Sequence, residues 1–164
     1  MMKALAPFLC VLALGTLADR ASAQSITTLF AHNNYGNIDG ANYFDVTVTN
    51  ALTVTMLDVN CGPLSFVGSQ FGVDVYTAPS TAAGKQTNMS LWTLVGSGTG
   101  IVAPSDTPVP VDVSDFPLAP GSYGIAIVFT GGTANLGYTN GTGGNQNYSN
   151  ADLALVLGSA TNIP

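Results

Sequence analysis

Glutamate is absent from this 164-residue chain, and cations are nearly so: Lys and Arg together number three, there is one His, and the nine acidic residues are all Asp. Charged side chains make up 7% of the residues, against an average near 25% for soluble proteins. A chain so short of positive charge cannot neutralise a run of phosphates, which excludes nucleic acid and anionic membrane surfaces as partners. Low hydrophobicity, the mark of disorder, is also missing, since 46% of the residues are apolar and much of that lies in patterned runs. Cysteine is limited to Cys10 and Cys61.

The equipment of an enzyme is thin as well. His32, in FAHNNYGNIDG, is the sole histidine, and a Ser-His-Asp hydrolase needs a serine within hydrogen-bond reach of it. No serine sits in a G-x-S-x-G elbow. Asp112 and Asp115, in DVSD, are the nearest carboxylates that could work as a glycosidase pair, but they fall where a strand meets a turn, a place Asp favours because its side chain bonds nearby backbone. The glycines of GSGTG, Gly96 to Gly100, lack both G-x-G-x-x-G spacing and a helix pattern behind them, and Gly84-Lys85-Gln86 lacks the hydroxyl that follows a P-loop lysine. One His and one remaining Cys cannot build a four-ligand zinc site. The expectation is a non-catalytic protein with no cofactor and no resident metal.

What is present begins with an export signal. Lys3 precedes a mostly apolar run from Ala4 to Ala18, and Ala21-Ser22-Ala23 fits A-x-A cleavage, so residues 1–23 read as a secretory leader. The run is shorter than the roughly 20 apolar residues a bilayer span requires and contains Pro7 and Gly15, which excludes membrane insertion after cleavage. Residues 24–164 then form one domain, secreted or held at the cell surface, with one lysine, Lys85, against eight aspartates. Cys61 follows Leu57 and Val59 at period two, which places it in the core.

Beyond the leader, Thr, Val, Gly and Pro dominate, and the apolar period is two. Strands are expected at Ser25 to Ala31, Tyr43 to Thr49, Leu52 to Val59, Phe71 to Thr77, Leu91 to Ser97, Val109 to Val113, Ser122 to Thr130, Leu136 to Thr139 and Asp152 to Leu157. The apolar phase of the third slips between Met56 and Leu57, which predicts a bulge near Met56. Pro110 predicts an edge strand or a strand start. In SYGIAIVFT both faces are apolar, which predicts a central strand. Eight or nine short strands with Gly, Pro and Asn between them predict an all-β antiparallel sandwich, jelly-roll or immunoglobulin-like.

The runs VDVSDFPLAPGSYGIAIVFTG, YTNGTGGNQNYSNADL, FGVDVYTAPSTAAG and WTLVGSGTG resemble, over most of residues 24–164, a group of exported bacterial β-sandwich proteins of uncharacterised function. The resemblance carries structural motifs, such as the Pro-Gly turn of LAPGSY that delivers a Tyr into a strand, and no catalytic residue. It also implies a further C-terminal hairpin beyond Pro164.

The Asn- and Gly-rich stretch from Tyr138 to Leu153 supports two expectations. Tyr138, Asn147, Tyr148 and Asp152 are the candidate ligand-binding residues, with tyrosine rings to stack on sugar faces and amide and carboxylate oxygens of the kind that hold Ca²⁺, although EF-hand spacing is absent and one carboxylate is thin for calcium. The same composition suits turns, because Asn and Gly tolerate positive φ and Asn closes local turns. Two functions follow. One is an exported structural or assembly protein of the cell surface or extracellular matrix, partnering itself or other surface proteins by strand-edge pairing through an apolar terminal strand, DLALVL. The other is a carbohydrate- or surface-binding module whose partner is a polysaccharide.

Overall fold

Alternating apolar residues and β-branched side chains make ten antiparallel strands in the computed structural model, which describes residues 24–161. They are β1 (Asn34–Ile38), β2 (Ala41–Val48), β3 (Leu52–Asn60), β4 (Gln70–Pro79), β5 (Thr93–Ile101), β6 (Pro108–Leu118), β7 (Gly121–Thr130), β8 (Asn135–Tyr138), β9 (Asn147–Ser149) and β10 (Leu153–Thr161), with one 3-10 turn at Met89–Leu91. The fold is the all-β antiparallel sandwich that the periodicity predicts. The leader expected over residues 1–23 and the chain end at Pro164 lie outside the described residues.

Eight strands hydrogen-bond in the order β3-β6-β5-β4-β7-β2-β10-β9, and β1 pairs with β8 as a separate ribbon. The long order becomes two layers at β5 and β6, which share a single bridge, Gly98 to Val113. A side chain at Gly98 would put its Cβ 2.4 Å from the Asp112 carbonyl oxygen, so only glycine lets β6 cross so closely there. Cys61 bridges Leu136 and the Gly62 amide donates to the Asn135 carbonyl at 2.7 Å, which ties the β1–β8 ribbon to the end of β3.

Between the layers lies the main core. Val46, Phe71, Val73, Val75, Ile125 and Phe129 meet Val59, Val109, Val111, Val113, Phe116 and Leu118. The Phe71 and Phe129 rings sit 4.9 Å apart, within the range in which tilted aromatic pairs attract. Cys61 is fully buried here, as its phase predicts.

Strand β7 lies between β4 and β2, and its second apolar face has its own cover. Ala126 and Val128 pack with Ala41, Tyr43, Ala78, Ala82 and Trp92, the last two from the segment 80–92, which lies over the outside of the sheet. Asp45 holds that segment, accepting from Thr81 Oγ1 and the Ala82 amide at 2.7 Å each. Tyr43 Oη donates to the Gln86 carbonyl at 3.1 Å, and Trp92 Nε1 to that of Lys85 at 3.0 Å. The turn motif behaves as its sequence suggests: Tyr123 Oη returns to the Ala119 carbonyl at 2.9 Å.

Five expectations change in three dimensions. Ser25 to Ala31 joins no sheet, because its backbone groups go to side chains instead: the Leu29 amide donates to Tyr148 Oη at 3.0 Å, the Phe30 carbonyl accepts from Asn60 Nδ2 at 2.7 Å, and the Ala31 carbonyl accepts from Thr139 Oγ1. Of the two places expected for Pro110 the edge is not found, since β6 lies between β3 and β5, while the strand start is, Pro110 being third in β6; with one bridge to β5, most of that side of β6 needs no N–H donor. The terminal strand is likewise interior, flanked by β2 along its length and by β9 at Ala154–Val156. A short strand, β9, stands inside the stretch read as either a turn or a ligand loop.

The fifth concerns the slip near Met56, which is real but shared. Pairing moves from Val54–Phe116 to Met56–Asp112, so residues 113–115 of β6 oppose Thr55 alone. Both strands change phase together, and each keeps its apolar residues on the core side. Met56, expected in phase with Leu52 and Val54, faces out at 57% exposure.

Candidate functional site

The segment before β1 brings His32 to the loop before β6. His32 Nδ1 and its amide both donate to Asp106 Oδ1, at 2.7 and 2.8 Å. Asn60 completes the knot, its Nδ2 donating to the same oxygen at 3.0 Å while its Oδ1 accepts from the Asp106 amide at 2.9 Å. Asp106 takes a positive φ of 64° to do this, a conformation Asp tolerates better than most residues. The hydrogen bonds from His32, then that from Asn60, hold the Asp106 carboxyl down to about 2. Chemically this is a latch: a carboxylate with a donor set, fastening the segment ahead of β1 to the ends of β3 and β6. Asp106 and Asn60 carry no sequence signal beyond turn and strand-end preference, so residue patterns do not reveal the cluster.

The candidate ligand residues are dispersed over different elements. Tyr138 ends β8 opposite Asn34. Asn147 and Tyr148 lie on β9 opposite Val156 and Leu155, and the Tyr148 hydroxyl is engaged with the Leu29 amide. Asp152 stands at the turn into β10, its Oδ1 accepting from Asn50 Nδ2 at 3.1 Å. The asparagines close turns: Asn145 Oδ1 accepts from the Thr142 amide, and Asn150 Oδ1 from the amides of Asp152 and Leu153. Asn150 Nδ2 is a buried donor with no protein acceptor, which opposes a cation in that turn. Tyr35, on β1, is the exposed tyrosine at 45%, beside Asn34, whose Nδ2 donates to Asn140 Oδ1 at 3.2 Å.

Asp112 and Asp115 both project outward from β6, the first opposite Met56. A surface depression of about 320 Å³ lined by Thr99, Gly100, Ile101, Val109 and Pro110 contains no titratable side chain. Among the described residues no three His, Cys, Asp or Glu side chains gather as metal ligands. Burial pushes the Cys61 thiol up from its ordinary range, against the smaller effect of a backbone hydrogen bond from Ala103; that is the environment of an inert thiol.

Strand β3 ends the eight-strand order, and Leu52 to Asn60 contains no Lys, Arg, Pro or Gly and a single charge, Asp58. Such residues normally keep a sheet edge from pairing with another chain, as do bulges and covering segments; of these β3 has the irregularity between Val54 and Met56 and, beyond its end, the β1–β8 ribbon bridged at Cys61. Lys85 is in no position to help, because its Nζ bonds the carbonyls of Pro79 and Thr81. The expectation of pairing through DLALVL thus moves to a different strand. No family model, curated protein or solved structure matches the chain, so the functional conclusion rests on these residues alone.

Proposed function

We propose that this is an exported, non-catalytic structural protein that assembles at the cell surface or in the extracellular matrix through its sheet edges. The observation that carries this is β3: a nine-residue terminal strand whose first six residues, Leu52 to Leu57, are uncharged and free of Pro and Gly. Segments of that composition pair readily with other strands. The test is light scattering, over a wide concentration range, on protein exported and processed by a bacterial host. The mass should rise with concentration, and a monomer mass throughout would sink the proposal.

A second reading, a polysaccharide-binding module, draws support from Tyr35 and its amide neighbours Asn33, Asn34 and Asn140, an exposed ring in a hydrogen-bonding rim. Retention on insoluble polysaccharides, lost in Tyr35→Ala, is its expected signature; no retention on a broad panel would remove it.

A further inference from the structure

Over its first eight residues, Leu52 to Val59, the burial of β3 reads the same in both directions; Asn60, the ninth, is buried beside Val59. Leu52, Val54, Leu57 and Val59 turn toward the core, whereas Thr53, Thr55, Met56 and Asp58 turn outward. The order in-out-in-out-out-in-out-in is symmetric about the point between Thr55 and Met56, where the phase slips. Directly opposed residues in an antiparallel pair point to the same face. A strand that changes phase in its middle therefore cannot pair with a regular strand along its whole length, since one half would put apolar residues outward. It can pair across the slip with a strand that changes phase at the same place, over the part of the edge that lies before Asn60 and Cys61, where the β1–β8 ribbon is bridged.

We infer that the partner of the β3 edge is the β3 edge of a second copy, antiparallel about a two-fold axis between Thr55 and Met56. This rests on the assembly reading and specifies its contact. In that register Leu52 opposes Val59, Val54 opposes Leu57, and Thr53 opposes Asp58 of the second copy, each twice by symmetry. The core-facing residues of the two copies form one continuous row, and the two irregularities meet at the axis. The charge placement agrees: Asp58 faces a threonine hydroxyl rather than its own symmetry mate. On their own chain, Thr53 and Asp58 are opposed by Pro117 and Pro110, so neither has a charged partner across β6. An isologous contact of this kind closes as a dimer, with β6-β3-β3-β6 running across both copies.

Two experiments test it on the full exported chain. In the first, Thr53→Cys and Asp58→Cys proteins are oxidised separately and mixed. Opposed residues in an antiparallel pair lie within the span of a disulfide, so the mixture should yield a crosslinked dimer of one variant with the other, while neither variant alone crosslinks; native Cys61 is fully buried and does not compete. In the second, sedimentation equilibrium compares two lysine variants at outward positions. Thr53→Lys places a cation opposite Asp58 twice per dimer and should tighten association about fivefold at low salt, whereas Thr55→Lys brings like charges together at the axis and should weaken it by a similar factor. Unchanged melting of both at high dilution verifies the fold. Association without the mixed crosslink, or equal weakening by both lysines, would overturn this pairing and leave assembly standing. A monomer at every concentration would overturn both.

Discussion

Asn135 is the buried polar residue whose removal should cost most. It is 0% exposed on β8, where Nδ2 donates to the Gly36 carbonyl at 2.8 Å and Oδ1 accepts from the Leu64 amide at 3.1 Å and from Ser65 Oγ at 2.8 Å. One side chain thus joins β1, β8 and the loop after β3. Asn135→Ala strands a backbone carbonyl and a backbone amide, while the Ser65 hydroxyl keeps its bonds to the Asn135 backbone; each unsatisfied buried group costs about 1 to 3 kcal/mol. The total should be about 2 to 5 kcal/mol, a large share of the 5 to 15 kcal/mol typical of a domain. Urea denaturation followed by far-ultraviolet circular dichroism should show a lower midpoint at unchanged slope. Asn135→Asp keeps the shape but turns an oxygen toward the Gly36 carbonyl, so the folded state favours the protonated acid and raises its pKa above the unfolded value. Relative to the parent protein, its penalty should be smallest below about pH 4 and grow as pH rises. A loss below about 1 kcal/mol for Asn135→Ala, or a pH-independent penalty for Asn135→Asp, would refute the reasoning.

Three further outcomes follow from the geometry. The Asp106 carboxyl is held near 2 by its hydrogen bonds, so its contribution is present above the unfolded value near 4 and is lost as pH falls toward 2; the melting difference between the parent and Asp106→Ala should vanish across that window, and a constant difference would contradict it. Asp45→Ala removes two of the bonds that hold segment 80–92 and should cost about 2 to 4 kcal/mol, with Trp92 becoming accessible to acrylamide quenching before global unfolding; unaltered quenching would mean the apolar cluster and the Tyr43–Gln86 bond keep the segment down without Asp45. Cys61 should resist thiol reagents in native buffer and react at once in denaturant, and rapid native labelling would contradict its burial.

Much of the sandwich was legible because period-two patterning records burial directly. In β7 the two apolar faces of SYGIAIVFT foretold a central position, and in β4 the alternation of Phe71, Val73 and Val75 put them in the core; the cover over the second face of β7 is known only from the structure. The segment Ser25 to Ala31 misled for the same reason: its alternation survives as half-burial of Ile26, Thr28 and Phe30, yet its hydrogen bonds go to Tyr148, Asn60 and Thr139 rather than to a strand. Patterning reports which face a residue turns to, and not which backbone it meets. Tyr138, Asn147, Tyr148 and Asp152 illustrate the limit. They are close in sequence, and the fold distributes them among β8, β9 and the turn into β10.

Composition by itself determined that this chain would be a β protein almost without ionisable side chains. Few charges and alternating apolar residues leave burial between strands as the dominant source of stability. Only the tertiary structure decided which strand ends the sheet, that the single described lysine is spent on two carbonyls of its own loop, and that the phase slip in β3 is mirrored in β6. Each of those depends on contacts between residues far apart in the chain, and no local pattern encodes such a contact.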